Sequence, residues 1–177
     1  NVAGGASSFS ALNLSTIATG SSAGFRILGA AANDLSGSSV APLGDVNGDG
    51  IDDMIIGAFQ ADPPTLPASQ AGISYVIYGR DVAHGAAPFQ DIDLATIDAT
   101  STIGFRILGG KNNDQSGASV ASTGDINGDG INDIIIGAIL ADPSYLTADS
   151  NAGAAFVIFG RDVAHGGTAF GDVLLSS

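Results

Sequence analysis

An all-β fold is predicted by three features of this 177-residue chain. Its 18 acidic residues are all Asp, with no Glu, and Asp favours caps and turns where Glu and Lys favour exposed helix faces. Its 26 glycines cluster with Asp and Ser between short apolar runs, the punctuation of strands and hairpins. Those runs also recur at a fixed period, so one structural unit is built twice.

The period is plain. Residues 24–63 and 104–143 are identical at 28 of 40 positions with an offset of 80, and residues 72–85 match 153–166 with an offset of 81. The upstream segments starting at Phe9 and Phe89 align too, and a third copy begins at Phe170. The chain therefore divides into a lead-in at 1–8, repeats at 9–88 and 89–169, and the start of a third at 170–177. It begins with Asn and ends inside a repeat, so a piece of a longer array is expected.

Four strands are expected in each repeat, in this order. Phe25–Leu28 (FRIL) is the first, Ser38–Val46 a weaker second, Met54–Ala58 the third and Ile73–Tyr78 the fourth. Repeat two supplies Phe105–Leu108, Ala118–Ile126, Ile134–Ala138 and Ala154–Phe159. Runs such as Ile134–Ile136 are apolar on both faces and must be covered on both. Short antiparallel strands, covered on each side and repeated, describe blades of a β-propeller, about 80 residues per repeat, within a larger propeller or array. The connection from Arg80 to Ile103 has weak strand character near Ile92–Ile97, as expected for a segment crossing the outside of a blade or adding an edge strand.

Composition removes several function classes. A formal charge of −13 argues against nucleic-acid binding, which needs clustered Lys and Arg. No apolar run approaches the roughly 18 residues of a membrane span. With no cysteine there is neither a disulfide framework nor a thiolate zinc site.

The chemistry lies in one acidic loop per repeat. Asp45, Asn47, Asp49 and Asp53 place oxygen side chains at loop positions 1, 3, 5 and 9, and Asp125, Asn127, Asp129 and Asp133 repeat the pattern. Alternate spacing lets a tightly wound loop aim these groups at one centre. Gly50 and Gly130 allow the closing turn, and the carbonyls of Ile51 and Ile131 can complete the shell. Hard oxygen donors in a flexible loop suit Ca²⁺ better than Mg²⁺, whereas zinc favours His or Cys. An EF-hand needs Glu at position 12 and a following helix; position 12 is Ile56 or Ile136, inside a β-type run, which also argues against a dockerin.

The segments FRILG, SGSSVA and GDVNGDGIDDMIIGA together resemble the FG-GAP repeat of integrin α-subunit propellers and of many bacterial surface and secreted proteins. The resemblance covers both repeats. It implies a Ca²⁺-binding loop between the first two strands of a blade, held by Asp45, Asn47, Asp49, the Ile51 carbonyl and Asp53, and by Asp125, Asn127, Asp129, the Ile131 carbonyl and Asp133. The sequence departs from the pattern where GAP becomes GAF at 57–59 and GAI at 137–139, and in its longer repeat carrying RDVAHG. The long form looks more like the bacterial members, so an integrin-like ligand surface does not follow.

Other signals favour structural readings. Gly20-Ser-Ser22-Ala-Gly24 fits a hydrolase elbow, but a strand follows where a helix is required. Asp34, Ser36 and Ser38 match a DxSxS metal motif, yet a turn is the better reading because Ala118 replaces the last Ser in the second copy. His84 and His165 read as two copies of one loop contact, Arg26 and Arg106 as partners of a neighbouring loop Asp. Asn13-Leu-Ser15 is a glycosylation sequon that matters only in a eukaryotic secretory route.

No catalytic constellation emerges. The expected function is therefore a non-enzymatic, calcium-binding scaffold for adhesion or protein interaction, in an extracellular or cell-surface protein, of bacterial type. Its partners would be calcium and a protein or cell-surface ligand, with further blades or other copies needed to close a propeller. The alternative is an accessory, carbohydrate-binding propeller of a secreted enzyme, against which stand the absence of Trp and an aromatic content of only 6%.

Overall fold

The computed structural model describes residues 13–17, 20–21, 23–66, 69–142 and 150–176. Ten strands are present among them: β1 (Ile27–Leu28), β2 (Ser39–Gly44), β3 (Asp53–Ala58), β4 (Ile73–Ile77), β5 (Ile92–Asp93), β6 (Gly104–Leu108), β7 (Ser116–Gly124), β8 (Asp133–Ala138), β9 (Ala154–Ile158) and β10 (Val173–Leu174). The helical elements described are short 3₁₀ turns at Leu14–Thr16, Val82–His84 and Leu94–Thr96. No described helix is long and apolar enough to cross a membrane.

Eight of the strands form two blades, and β1 and β5 pair as a separate two-stranded sheet. The first runs β2-β3-β4-β6, antiparallel throughout, with β10 added in parallel beyond β6. The second is β7-β8-β9. The middle strands carry the β-branched runs. In β3 (DMIIGA) and β4 (ISYVI) nearly every residue is buried, as required of a strand covered on both faces. Pro42, which has no N–H to give, sits in β2 at the edge of its sheet, where proline is tolerated.

The expected all-β blades of antiparallel strands are thus present, but blade and repeat are out of phase. The FRIL strand expected to open blade one, β1, instead pairs in parallel with β5. Blade one takes its fourth strand, β6, from repeat two, with Ile73 opposite Leu108 and Ile77 opposite Gly104. The connection after β4 accounts for this, because it returns the chain along the free edge of β4 and lays down the FRIL strand of the following repeat.

Two apolar clusters hold the molecule. One lies between the blades, where Leu43, Ile55, Val76 and Phe105 meet Ile134 and Ile136. The other covers the opposite face of blade one, where Ile56, Tyr75 and Ile77 pack under Ile92, Leu94 and Ile97. The Arg80–Ile103 connection therefore does both things expected of it: it covers a blade and adds the short strand β5. Repeat-to-repeat contacts are duplicated. Phe25 stacks on Phe89 with centroids 4.4 Å apart, and Phe105 on Phe170 at 4.1 Å. Arg80 and Arg161 lie over the Phe89 and Phe170 rings at 5.0 and 4.5 Å, within cation–π range.

Candidate metal centres

Each acidic loop is the connection between the first two strands of a blade, β2–β3 or β7–β8. The loop is wound by its own carboxylates. Asp45 Oδ1 accepts from the N–H groups of Gly48 (2.7 Å) and Asp49 (3.1 Å), and its Oδ2 from Gly50 (2.8 Å). Asn47 Oδ1 accepts from Asp49 N–H at 2.9 Å, and Asp49 Oδ1 from Ile51 N–H at 2.8 Å. Loop two repeats the pattern: Asp125 accepts from Gly128, Asp129 and Gly130 at 2.6, 3.0 and 2.8 Å. Gly48 and Gly50 have φ of 78° and 82°, the left-handed region that glycine enters without steric cost. The sequence pattern explains the glycine at position 6; the winding also requires one at position 4.

The ninth-position carboxylate does something different. Asp53 is buried, its Oδ2 accepting from Val46 N–H at 3.0 Å and its Oδ1 from Gly79 N–H at 2.8 Å. Asp133 does the same with Ile126 and Gly160, at 2.9 and 2.8 Å. It ties the start of the loop to the residues that follow β4 or β9. Burial pushes the Asp53 carboxyl up to about 6, against the pull of its two N–H partners, and the nearby Asp49 and Asp45 carboxylates push it further the same way. At Asp125 the N–H of Gly130, with those of Gly128 and Asp129, holds the carboxyl below its usual range.

The predicted donors Asp45, Asn47 and Asp49 therefore share one wound loop whose start is tied down by Asp53, and Asp125, Asn127, Asp129 and Asp133 repeat the arrangement. The Ile51 and Ile131 side chains lie against Gly79 and Gly160. Among the described residues no three Asp or His side chains stand gathered as a finished metal cage. The donor set nonetheless fits a hard cation: it is all oxygen, and none of the six candidate carboxylates forms an ion pair with a described residue.

Sequence reasoning missed the clamp on loop one. Arg161 N–H donates to the Val46 carbonyl at 3.0 Å, Val163 N–H to the Asn47 carbonyl at 2.8 Å, and Asn132 N–H to the Asp45 carbonyl at 2.9 Å. Repeat two thus grips the loop of repeat one, leaving Asn47 buried while Asn127 is exposed. The available signal was the verbatim recurrence of GRDVAHG at 79–85 and 160–166.

The remaining candidates take structural roles. His84 and His165 bond Asp81 and Asp162 in their own turns, each at 2.6 Å. Arg26 Nε and Nη2 both donate to Asp91 Oδ2, and Arg106 makes a bidentate contact with Asp172 at 2.9 and 2.6 Å. Asp34 accepts from Ala31 N–H at 3.1 Å, Ser38 Oγ donates to the Gly57 carbonyl and Ser36 Oγ has no partner, so the DxSxS segment is a turn. Asn13 caps the Leu14–Thr16 turn. Ser22 lies outside the described residues.

A family model for the FG-GAP repeat matches residues 36–77 and 116–158. Each match runs from the start of the first blade strand, or three residues before it, through the acidic loop to the end of the third. No curated protein matches the chain.

Proposed function

Because this chain carries two FG-GAP repeats and so belongs to that family, we propose that it is a calcium-stabilised, non-catalytic propeller segment that presents an interaction surface on an extracellular or cell-surface protein of bacterial type. The observation that carries the calcium reading is Asp53. A buried carboxylate with two further carboxylates close enough to raise its pKa, and no cationic partner among the described residues, calls for a cation. Ca²⁺ supplies that charge and accepts an irregular all-oxygen shell.

Asp45, Asn47, Asp49, Asp53 and the Ile51 carbonyl would hold one ion, and Asp125, Asn127, Asp129, Asp133 and the Ile131 carbonyl the other. The chain's own part is to wind the loop on backbone N–H groups. Asp53 and Asp133 then couple the loop to the far side of the blade through Gly79 and Gly160. Binding free energy thereby becomes folding free energy. The extracellular setting is part of the same proposal: extracellular calcium modules bind at roughly 10⁻⁴–10⁻³ M and fill only where calcium is abundant.

Calorimetric titration tests this reading. Two sites per chain are expected, and one in each of Asp49→Ala and Asp129→Ala. Unchanged stoichiometry in both variants would make the loops ordinary turns.

A further inference from the structure

A hollow of about 320 Å³ on blade one is walled by Asp34, Asp62, Tyr75 and Arg106 and floored by the buried Ile73 and Leu94. It opens to solvent past Ala31 and Ala95. Asp34 Oδ2 accepts from Ala31 N–H at 3.1 Å, and Asp62 Oδ1 from the N–H groups of Ser69 and Gln70 at 2.8 and 2.7 Å. The second oxygen of each carboxylate has no hydrogen bond among the described residues, and neither carboxylate forms an ion pair there. Burial raises the Asp34 carboxyl, and the Asp62 carboxylate pushes the same way. Tyr75 is 2% exposed and has no side-chain hydrogen bond among the described residues. Burial raises its phenol to about 12, with the Asp34 charge adding to the shift and that of Arg106 opposing it. Its hydroxyl therefore lies at the end of the ring that meets Asp34 and Arg106, in the wall of the hollow.

The second repeat shows what belongs there. It keeps both acids, as Asp114 and Asp142, but has Lys111 in place of Ala31 and Phe156 in place of Tyr75. Lys111 Nζ donates to the Asp142 carbonyl at 3.2 Å. Where the chain brings its own ammonium the hydroxyl is gone, and where the hydroxyl stands the ammonium is missing. The hollow is also complete within the pair of repeats, since Leu94, Ala95 and Arg106 come from repeat two. In repeat two the same turn meets the preceding blade through Asn113 and Gln115, whose N–H groups donate to the Ser69 and Gln70 carbonyls. It meets its own blade through Leu140 N–H on the Asp114 carbonyl. A repeat placed before the first would by the same contacts reach Asn33 and Leu35, while the hollow lies on the other side of the turn, toward its own blade.

We propose that this hollow binds a primary alkylammonium group, whose three N–H donors meet the second oxygens of Asp34 and Asp62 and the Tyr75 hydroxyl while its alkyl stem lies against Ile73 and Leu94. The charge balance suits it. Asp172 meets the Arg106 charge at 2.9 and 2.6 Å, which leaves Asp34 and Asp62 to be neutralised. Calcium fits less well, because among the described residues no third acidic or histidine side chain joins these two, and Ca²⁺ takes six to eight oxygens. A lysine side chain of a partner protein and a free diamine carry the same group. Neither Asp34 nor Asp62 belongs to the acidic loops, so the site stands whether or not those loops bind calcium.

An amide NMR titration of the 177-residue chain in excess calcium, with Nα-acetyl-lysine methylamide as the probe, tests this. Saturable shifts are expected at 30–34, 62 and 73–75, and none with the same probe acetylated at Nε, which lacks the charge. An equal response to both probes, no response, or shifts confined to other segments such as the acidic loops overturns the proposal. Cadaverine and a capped tripeptide with a central lysine separate the two sources: tighter binding of the tripeptide assigns the site to a protein lysine, and tighter binding of cadaverine to a free amine. Ala31→Lys places the chain's own ammonium where repeat two has it, at an exposed position, and should abolish the response. Tyr75→Phe copies Phe156 and should weaken binding several-fold, as loss of one hydrogen bond does, with an unchanged circular dichroism spectrum. Undiminished binding in either variant overturns the site.

Discussion

Asp53 sets how the candidate centre should respond to acid. Its folded pKa of about 6 lies above the ordinary 3.8, so between those values the folded, calcium-free chain holds a proton that the unfolded chain has released. Stability in chelator should then fall as pH rises through this window, by on the order of 3 kcal/mol at most from this group, at about 1.4 kcal/mol per pKa unit. Melting in chelator should occur at a higher temperature at pH 5 than at pH 7, and Asp53→Asn should flatten the difference. With calcium the sign reverses, because proton and cation compete for one carboxylate: apparent affinity should decline from pH 7 to pH 5, measured by titration at each pH. The loop was legible in the sequence because its logic is local, with side chains two residues apart bonded to N–H groups within the same turn. Loss of Asp49 removes a donor and the anchor of Ile51 N–H and should lower the melting temperature in calcium.

Close packing of elements depends on a few glycines with neighbours from the other blade. A Cβ at Gly57 in β3 would sit 2.1 Å from the Gly117 carbonyl oxygen of β7, whereas at the equivalent Gly137 the nearest atom is the Ser119 hydroxyl at 2.4 Å. A backbone oxygen cannot swing aside and a serine rotamer can. Gly57→Ala should therefore cost about 2 kcal/mol or more, at the upper end of ordinary substitutions, and Gly137→Ala distinctly less, as urea unfolding would show. A second element-scale expectation concerns Arg106, whose contact with Asp172 is more enclosed than that of Arg26 with Asp91. Arg106→Ala should loosen the parallel β10 strand, seen as faster amide exchange at 173–175. Strand existence was readable from apolar runs, but partnership was not. FRIL occurs twice with one sequence, and nothing in its four residues names its partners: β6 lies between β4 and β10, while β1 pairs in parallel with β5, the counterpart of β10. The antiparallel partner of β6 comes from the preceding repeat across the Arg80–Ile103 connection, a non-local fact.

For the molecule as a whole, calcium should matter more than for a typical globular chain of this size. Six of its 18 Asp are candidate ligands at positions 1, 5 and 9 of the two loops, and each divalent ion cancels two units of the formal −13. A ligand at about 100 times its dissociation constant adds about 2.7 kcal/mol per site, so a chelator should lower the melting temperature strongly. Magnesium should rescue it poorly, since it demands near-octahedral geometry. Superimposable melting curves with calcium and with chelator would contradict the metal reading.

The phase shift between repeat and blade bears on how such chains are made and inherited. A ribosome that has released residues 9–88 has delivered one whole sequence period but not one whole sheet; the closing strand arrives only with Gly104–Leu108. Until then β4 waits with a bare edge, exposed to capture by any neighbouring nascent chain. The same offset constrains gene duplication. A period copied at any breakpoint still supplies one lending strand and one borrowing edge, so copies join in series without a dedicated adaptor. A period excised alone, by contrast, carries a strand for a sheet it has left behind and lacks the strand its own sheet requires.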